Sequence, residues 1–322
     1  MRVFIEHRMD ESGKAKFLKR ATREWDKMGV GWSTDPSGCD IRLAMTRFRS
    51  KSKLPTVIRI DGAHQPLVSG SDYKSKRVKD SIAWKNKQTA KSIKKSSAVI
   101  YQSDFCKRMG NRVFGVKHNN EHVIFNGAHS NEFKLPEIVS KEYKNIILSA
   151  KWKGRPHKRL REMVEIANKY CETREDVKFR IAGDMDIKLE THERVAVLGD
   201  LDSDKLNGFI CTSDCMLNLA YYDWCPNAVV ECLVAGKPVI CSNGTGVAEI
   251  VKDSGVVLNL DTHDLKTLKR AAKPPRIDYQ PVYDALDNVL FGGASFPFPD
   301  HLHIETVAKQ YMEVFENVLR KS

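Results

Sequence analysis

"DWCPNAVVECLVAGKPVICSNGTGVAEIV", residues 223–251, places carboxylates at Asp223 and Glu231, with Pro226 between them, and then passes through Ala-Gly-Lys-Pro into an apolar Val-Ile. The preceding "CMLNLA" at 215–220 reads as a buried strand, and "YYDWCPN" as the loop leaving its carboxyl end. Proline suits a first helical position, where its missing N–H would have no partner in any case. A helix over roughly 226–235, stopped by Gly236, follows from that start. Its amino end then faces the crevice above the sheet. There the amides of Asn227, Ala228 and Val229, with the helix dipole behind them, favour an anion. A diphosphate can rest at such a site without a glycine-rich loop. Carboxylates only accept hydrogen bonds, so Asp223 and Glu231 suit hydroxyls on either side of it, a sugar and a ribose. The pattern therefore reads as a site for a nucleotide sugar.

Strand and helix alternate outward from this stretch in both directions. "KNIILSA" (144–150), "VKFRIAG" (177–183), "RVAVLG" (194–199), "KPVICS" (237–242) and "GVVLNL" (255–260) read as strands, and "KRLREMVEIANKYCE" (158–172) carries a helical apolar stripe. An earlier series holds "RVFI" (2–5), "IRLAM" (41–45), "TVIRI" (56–60), "AVIYQ" (98–102) and "HVIFN" (122–126), with an amphipathic helix at 15–29. Strands alternating with helices imply parallel sheets covered on both faces. The turn-rich segment "NGAHSNEFKLPEIVSKEY" separates the two series. Two doubly wound, Rossmann-like α/β domains with a cleft between them are expected, over 1–139 and 140–300. The tail "HLHIETVAKQYMEVFENVLR" reads as one amphipathic helix, entered through a surface turn at "HLH".

The 322 residues are 41% hydrophobic, enough for two cores, and no apolar run reaches membrane-spanning length. The opening "MRVFIEHRMDESG" reads as a first core strand and not as a leader. A soluble, cytoplasmic protein is expected, peripheral at most to a membrane. The eight cysteines show no disulfide-framework spacing, and Cys211 and Cys215 lack further ligands at zinc-site spacing; buried thiols and no metal are expected. Net charge is +12. From Ser71 to His118 thirteen Lys or Arg stand against three Asp, a surplus of ten. This block suits an anionic partner, a membrane surface or a nucleic acid, or else forms a solvated helix face.

The 223–251 stretch resembles the acid-x₇-acid signature of retaining GT-B glycosyltransferases, in particular family four (glycosyl transferases group 1). Asp223 replaces the usual Glu and is one methylene shorter. "NIILSAKWKGRPHKRL" is similar to the family's donor-phosphate loop; Lys151 stands where an Arg is usual, without its bidentate fork, and Lys158 matches the second cation, with Arg155 beside them. "VKFRIAGD" and "VLGDL" resemble the segments near the base, which brings in Gly183, Leu198 and Gly199. In the first half the resemblance places Gly13 in the loop after the first strand and His64, in "DGAH", toward the transferred sugar. It further implies that the last helix crosses back onto the N-terminal domain. The implied activity is transfer of a sugar from a nucleotide-sugar donor, UDP- or GDP-linked, to a glycan, lipid-linked glycan or other anionic acceptor. Retention, no metal and no further cofactor go with it. Lys151, Lys158 and the helix start would stabilise the leaving diphosphate, at about 3–4 kcal/mol per preorganised group. Two other readings use the basic N-terminal half: a DNA-modifying glycosyltransferase, and a non-enzymatic nucleic-acid-binding protein. The lack of Gly-x-Gly-x-x-Gly after a first strand argues against a nicotinamide dehydrogenase.

Overall fold

Short runs of β-branched and aliphatic residues, each followed by an amphipathic stretch, fold into strands that pair in parallel and into helices that cover them. The computed structural model describes residues 1–10, 12–63, 76–134, 142–260 and 274–322. Among these, the residues up to 129 together with Asp300–Ser322 form one compact unit, and those of 130–299 form another.

The first unit contains β1 (Arg2–Glu6), α1 (Gly13–Lys27), β2 (Gly31–Ser33), β3 (Ile41–Met45), β4 (Thr56–Ile60), α2 (Lys76–Lys95), β5 (Ala98–Tyr101), α3 (Asp104–Phe114) and β6 (Glu121–Val123). Its strands are all parallel, in the order β2-β1-β3-β4-β5-β6. β3 and β4 are buried along their whole length, so they read as continuous apolar runs and not as alternation. Ser12 and Ser103 cap α1 and α3 through their hydroxyls, which satisfies one otherwise orphaned amide in each.

The second unit contains β7 (Lys144–Ser149), a 3-10 turn (Pro156–Lys158), α4 (Leu160–Thr173), β8 (Val177–Ala182), β9 (Val195–Gly199), α5 (Ser203–Cys211), β10 (Cys215–Asn218), α6 (Asn227–Val234), β11 (Val239–Ser242), α7 (Gly246–Val251), β12 (Gly255–Leu258) and α8 (Gln280–Leu290). The sheet is again parallel, in the order β12-β11-β10-β7-β8-β9. The chain begins at β7, steps outward to β9, and resumes at β10 on the other side. The order reverses between β7 and β10, and loops from the carboxyl ends of such strands enclose a crevice where ligands of doubly wound sheets bind.

The chain then returns to the first unit as α9 (Ile304–Leu319). Phe315 meets Trp25 edge-on at 5.5 Å between ring centroids, and Tyr311 meets Phe17 at the same separation. Ile304, Val307, Tyr311 and Phe315 are each at most 1% exposed. Burying an apolar side chain of this size contributes about 1.5–3 kcal/mol, so α9 is part of that unit's core.

The strand–helix alternation expected from sequence is present in both units. β2 was not anticipated: "GWS" has no apolar run, and it pairs only at the sheet edge. Pro226 is the N-cap of α6 and not its first helical residue, with φ −70° and ψ 128°. "HLH" is no bare surface turn. Leu302 is buried, Ala128 and His303 form a bridge, and the His301 and His303 rings pack on Phe125 and His129. All eight cysteines are buried thiols.

Candidate functional site

The reversal point of the second sheet is framed by the loops after β7 and β10. The first leaves Ser149 and is knitted at once to the loop after β8. Trp152 donates its indole N–H to the Ala182 carbonyl at 2.9 Å, and the amides of Trp152 and Lys153 both donate to Asp184 at 2.9 Å. Gly183 makes this approach possible. A Cβ there would stand 1.8 Å from the Ala150 carbonyl oxygen, and its φ of +125° is open to glycine alone at little cost. Its amide donates to the Gly199 carbonyl at 2.7 Å, so Gly183 and Gly199 act through the backbone that ties three strand ends together. Leu198 is half-buried on the edge strand β9.

The same loop ends in the 3-10 turn and then in Arg159, a non-glycine residue at φ +57°. That uncommon conformation is held by its buried guanidinium. It donates to the Leu219 carbonyl at 3.3 Å and the Pro275 carbonyl at 2.9 Å, and pairs with Glu162 at 3.2 Å. The Tyr221 amide donates back to the His157 carbonyl at 2.8 Å. The turn is thereby fixed against the loop leaving β10, and its Lys158 meets Asp223: Nζ stands 2.9 Å from Oδ2, with both side chains largely buried.

Asp223 Oδ1 accepts from the Trp224 amide at 2.8 Å, and its own carbonyl accepts from the Gly246 amide at 3.1 Å, at the start of α7. Three loops therefore converge on this residue. Burial pushes its carboxyl up, but the Lys158 ammonium, with smaller contributions from His157 and the Trp224 amide, outweighs burial and holds it below the usual carboxylate range. Asp223 is the ionised partner of a nearly desolvated ammonium.

Four residues past Asp223, α6 begins without a side-chain cap. The Val229 amide, expected to point outward, donates to the Pro226 carbonyl at 3.2 Å in a 3-10-type first turn, and its side chain is fully buried. Asn227 and Ala228 are half-buried at the helix start. Glu231 lies further along and is 1% exposed. Lys151 and Arg155 are exposed, so of the two lysines named from sequence only Lys158 is built into the pair.

In the first unit the order reverses between β1 and β3. Gly13 stands there as the first residue of α1, directly after its cap Ser12, and its φ is outside the left-handed region. His64 lies outside the described residues. What does gather at this reversal is a set that sequence reading passed over. Lys14 reaches Asp61 at 3.1 Å and Thr46 Oγ1 at 2.6 Å, Arg59 reaches Asp61 at 2.8 Å, and Gln102 donates to the same carboxylate. Arg59 also lies 3.7 Å over the Phe17 ring. The only available signal was a charged residue inside an otherwise apolar strand, Arg59 in "TVIRI". Arg159 was likewise masked by the run of bases around Lys158.

Among the described residues no group of three or more His, Cys, Asp or Glu side chains is placed to hold a metal ion, and no helix is long and apolar enough to cross a membrane.

Two doubly wound parallel α/β units of this kind define the GT-B architecture of glycosyltransferases. Residues 130–273 match the family described as Glycosyl transferases group 1. Among solved structures, sucrose-phosphate synthase from Thermosynechococcus elongatus is similar at TM-score 0.65 and 12% identity, over 100% of this chain and 99% of that one. HepE from Anabaena, in complex with UDP and glucose, is similar at TM-score 0.59 and 14% identity, over 98% and 99%. AviGT4, a glycosyltransferase involved in avilamycin A biosynthesis, is similar at TM-score 0.60 and 13% identity, over 100% and 98%. At such identities the likeness is one of fold. No curated protein matches the chain significantly in sequence.

Proposed function

We propose that the chain transfers a sugar from a nucleotide sugar to an acceptor hydroxyl with retention at the anomeric carbon. The donor is assigned to the second unit and the acceptor to the first. The observation behind this reading is the buried Lys158–Asp223 pair at the reversal point of the second sheet, with Asp223 four residues before an uncapped helix start. An ammonium has three N–H donors. Lys158 uses one on Asp223 and keeps the others for a diphosphate resting at Asn227 and Ala228. Asp223 retains lone pairs on both oxygens for a hydroxyl of the donor sugar, and in this reading it also holds the lysine in place. Exposed Lys151 and Arg155 add positive charge at the loop. Glu231 is assigned to a ribose hydroxyl, which must reach it behind the phosphate. As the leaving diphosphate gains charge, a cation already fixed and desolvated needs no reorganisation to stabilise it.

HepE was solved with UDP and glucose, so UDP-sugars are the first donors to test, ahead of GDP-sugars. Thermal shift across UDP, GDP, ADP and dTDP, followed by calorimetry on the best, tests the reading. One nucleoside diphosphate should raise the melting temperature clearly above the rest. Lys158→Met, checked for folding by circular dichroism, should bind it about 10–100-fold more weakly, as loss of a charge-assisted contact implies. Equal affinity in a folded Lys158→Met variant would remove this lysine from the donor site.

A further inference from the structure

The charge block singled out in the sequence forms part of a surface on the first unit. The inner side of α2 is committed to its own core: Thr89, Ser92 and Ile93 are at most 5% exposed. The 46–54 loop lies beside it, since the Phe48 amide donates to Ser92 Oγ at 3.0 Å and the Arg47 guanidinium stands 5.1 Å from the Trp84 ring centre. On the outer side, Arg77, Lys79, Lys87, Lys91, Lys94 and Lys95 are exposed. The loop adds Arg47, Arg49, Lys51 and Lys53 and no carboxylate; α2 itself holds a single acid, Asp80. Among the described residues none of these cations is paired with a carboxylate. In their midst Trp84 is 54% exposed, more than any other large hydrophobic side chain described.

A solvated basic face accounts for the lysines but not for an indole held outward with a guanidinium against it. A membrane-seated helix would present an apolar row on its free side. Here Ile82 is half-buried, and among the described side chains of α2 the exposed ones other than Trp84 are Arg, Lys, Asp, Ser and a single Ala. Cations flanking an exposed aromatic ring are the elements that bind a single strand, phosphates on the cations and a base on the ring. At 1.5 Å per residue α2 is about 30 Å long, room for several nucleotides.

We propose that the outer face of α2 with the 46–54 loop binds a nucleic-acid strand, one base stacking on Trp84. This stands independently of the donor reading. The test is fluorescence anisotropy of a labelled oligothymidylate, on the order of twenty nucleotides, with the full chain over a salt series starting near about 50 mM. Binding should weaken linearly in log–log form as salt rises. Trp84→Ala should lower affinity about 5–100-fold. The double change Lys87→Glu with Lys91→Glu should weaken binding and make the salt slope shallower. Both variants should keep their circular dichroism and their nucleoside-diphosphate affinity, because these residues belong to the first unit and the donor is assigned to the second. Three results would each overturn the proposal: no binding at the lowest salt, affinity unchanged in both variants, or tighter partition onto phosphatidylglycerol vesicles with a blue shift of tryptophan emission.

Discussion

The two reversal points use the same architecture for different ends. In the second unit the pair Lys158–Asp223 sits on loops beyond the strand ends, with exposed cations nearby and a helix that starts uncapped. In the first unit the ionised groups lie inside the sheet's own strands or seal against them. Arg59 is 1% exposed within β4, Asp61 follows directly, and Glu6 and Arg42 face each other at 3.6 Å from β1 and β3. One reversal point is a presented pair and the other an internal lock. Charges of a lock are held by one another, so removing one should cost stability. Charges of a presented pair should affect binding more than folding.

The largest expected effect follows from the lock. Burial pushes the Asp61 carboxyl up, but Arg59 and Lys14 outweigh that, and it stays below the usual carboxylate range. Asp61→Asn keeps the shape and strands two cations, which typically costs about 3–5 kcal/mol when a buried pair is broken. Urea unfolding measures it; a loss under about 1 kcal/mol would mean the cluster is solvated and no lock at all. Gly183→Ala comes next. It combines a φ of +125° with a Cβ pressed on the Ala150 carbonyl. Strain and overpacking each cost about 1–3 kcal/mol. By contrast Gly29, at φ +74° with open space around it, should lose only the strain part on the same change.

Acid sharpens the comparison further. The Asp223 carboxyl is also depressed. A carboxyl with a lowered folded pKa contributes fully above the unfolded value of about 3.9, and that contribution is lost as pH falls through the folded value. Stability should therefore decline below about pH 4, and Asp223→Asn should flatten that decline. Because the pair is presented at a crevice, the neutral-pH cost of Asp223→Asn should be about 1–2 kcal/mol, less than for Asp61→Asn, while nucleoside-diphosphate binding changes more. An equal cost at both sites would erase the distinction between lock and presented pair.

These contrasts also explain what could be read from the sequence. The second unit was legible because its signals are local. Apolar runs mark the strands, Pro226 and Gly236 bracket α6, and acid and base stand near those marks. Gly183 was reached through the family resemblance alone, and its backbone requirement shows only in the structure. The lock was not legible, because Lys14, Arg59, Asp61 and Gln102 are brought together only by parallel pairing of strands far apart in the chain. The same holds for Arg159, whose partners Leu219 and Pro275 are 60 and 116 residues away. The Val229 amide carries a subtler lesson: with Pro226 as cap it is the third helical amide, ordinarily without a partner in the helix, and only a 3-10-type bond to the Pro226 carbonyl engages it.

The smallest expected effect concerns how the helices at the two reversal points begin. α1 is closed by Ser12, whose hydroxyl accepts from the Ala15 amide at 3.3 Å. α6 has Pro226 in the equivalent place and no side-chain cap. Ser12→Ala removes a hydrogen bond and should cost about 1 kcal/mol, the usual value for an N-cap. Pro226→Ala removes none; it only frees the unfolded chain, at about 0.4–1 kcal/mol. The informative difference is the response to ligand. The start of α6 keeps an amide region free of side-chain caps, so a nucleoside diphosphate should stabilise the Ser12→Ala variant as much as the parent, measured as the same rise in melting temperature. If Ser12→Ala instead lost that rise while remaining folded, the anion would be held at α1, and the roles given to the two reversal points would have to be exchanged.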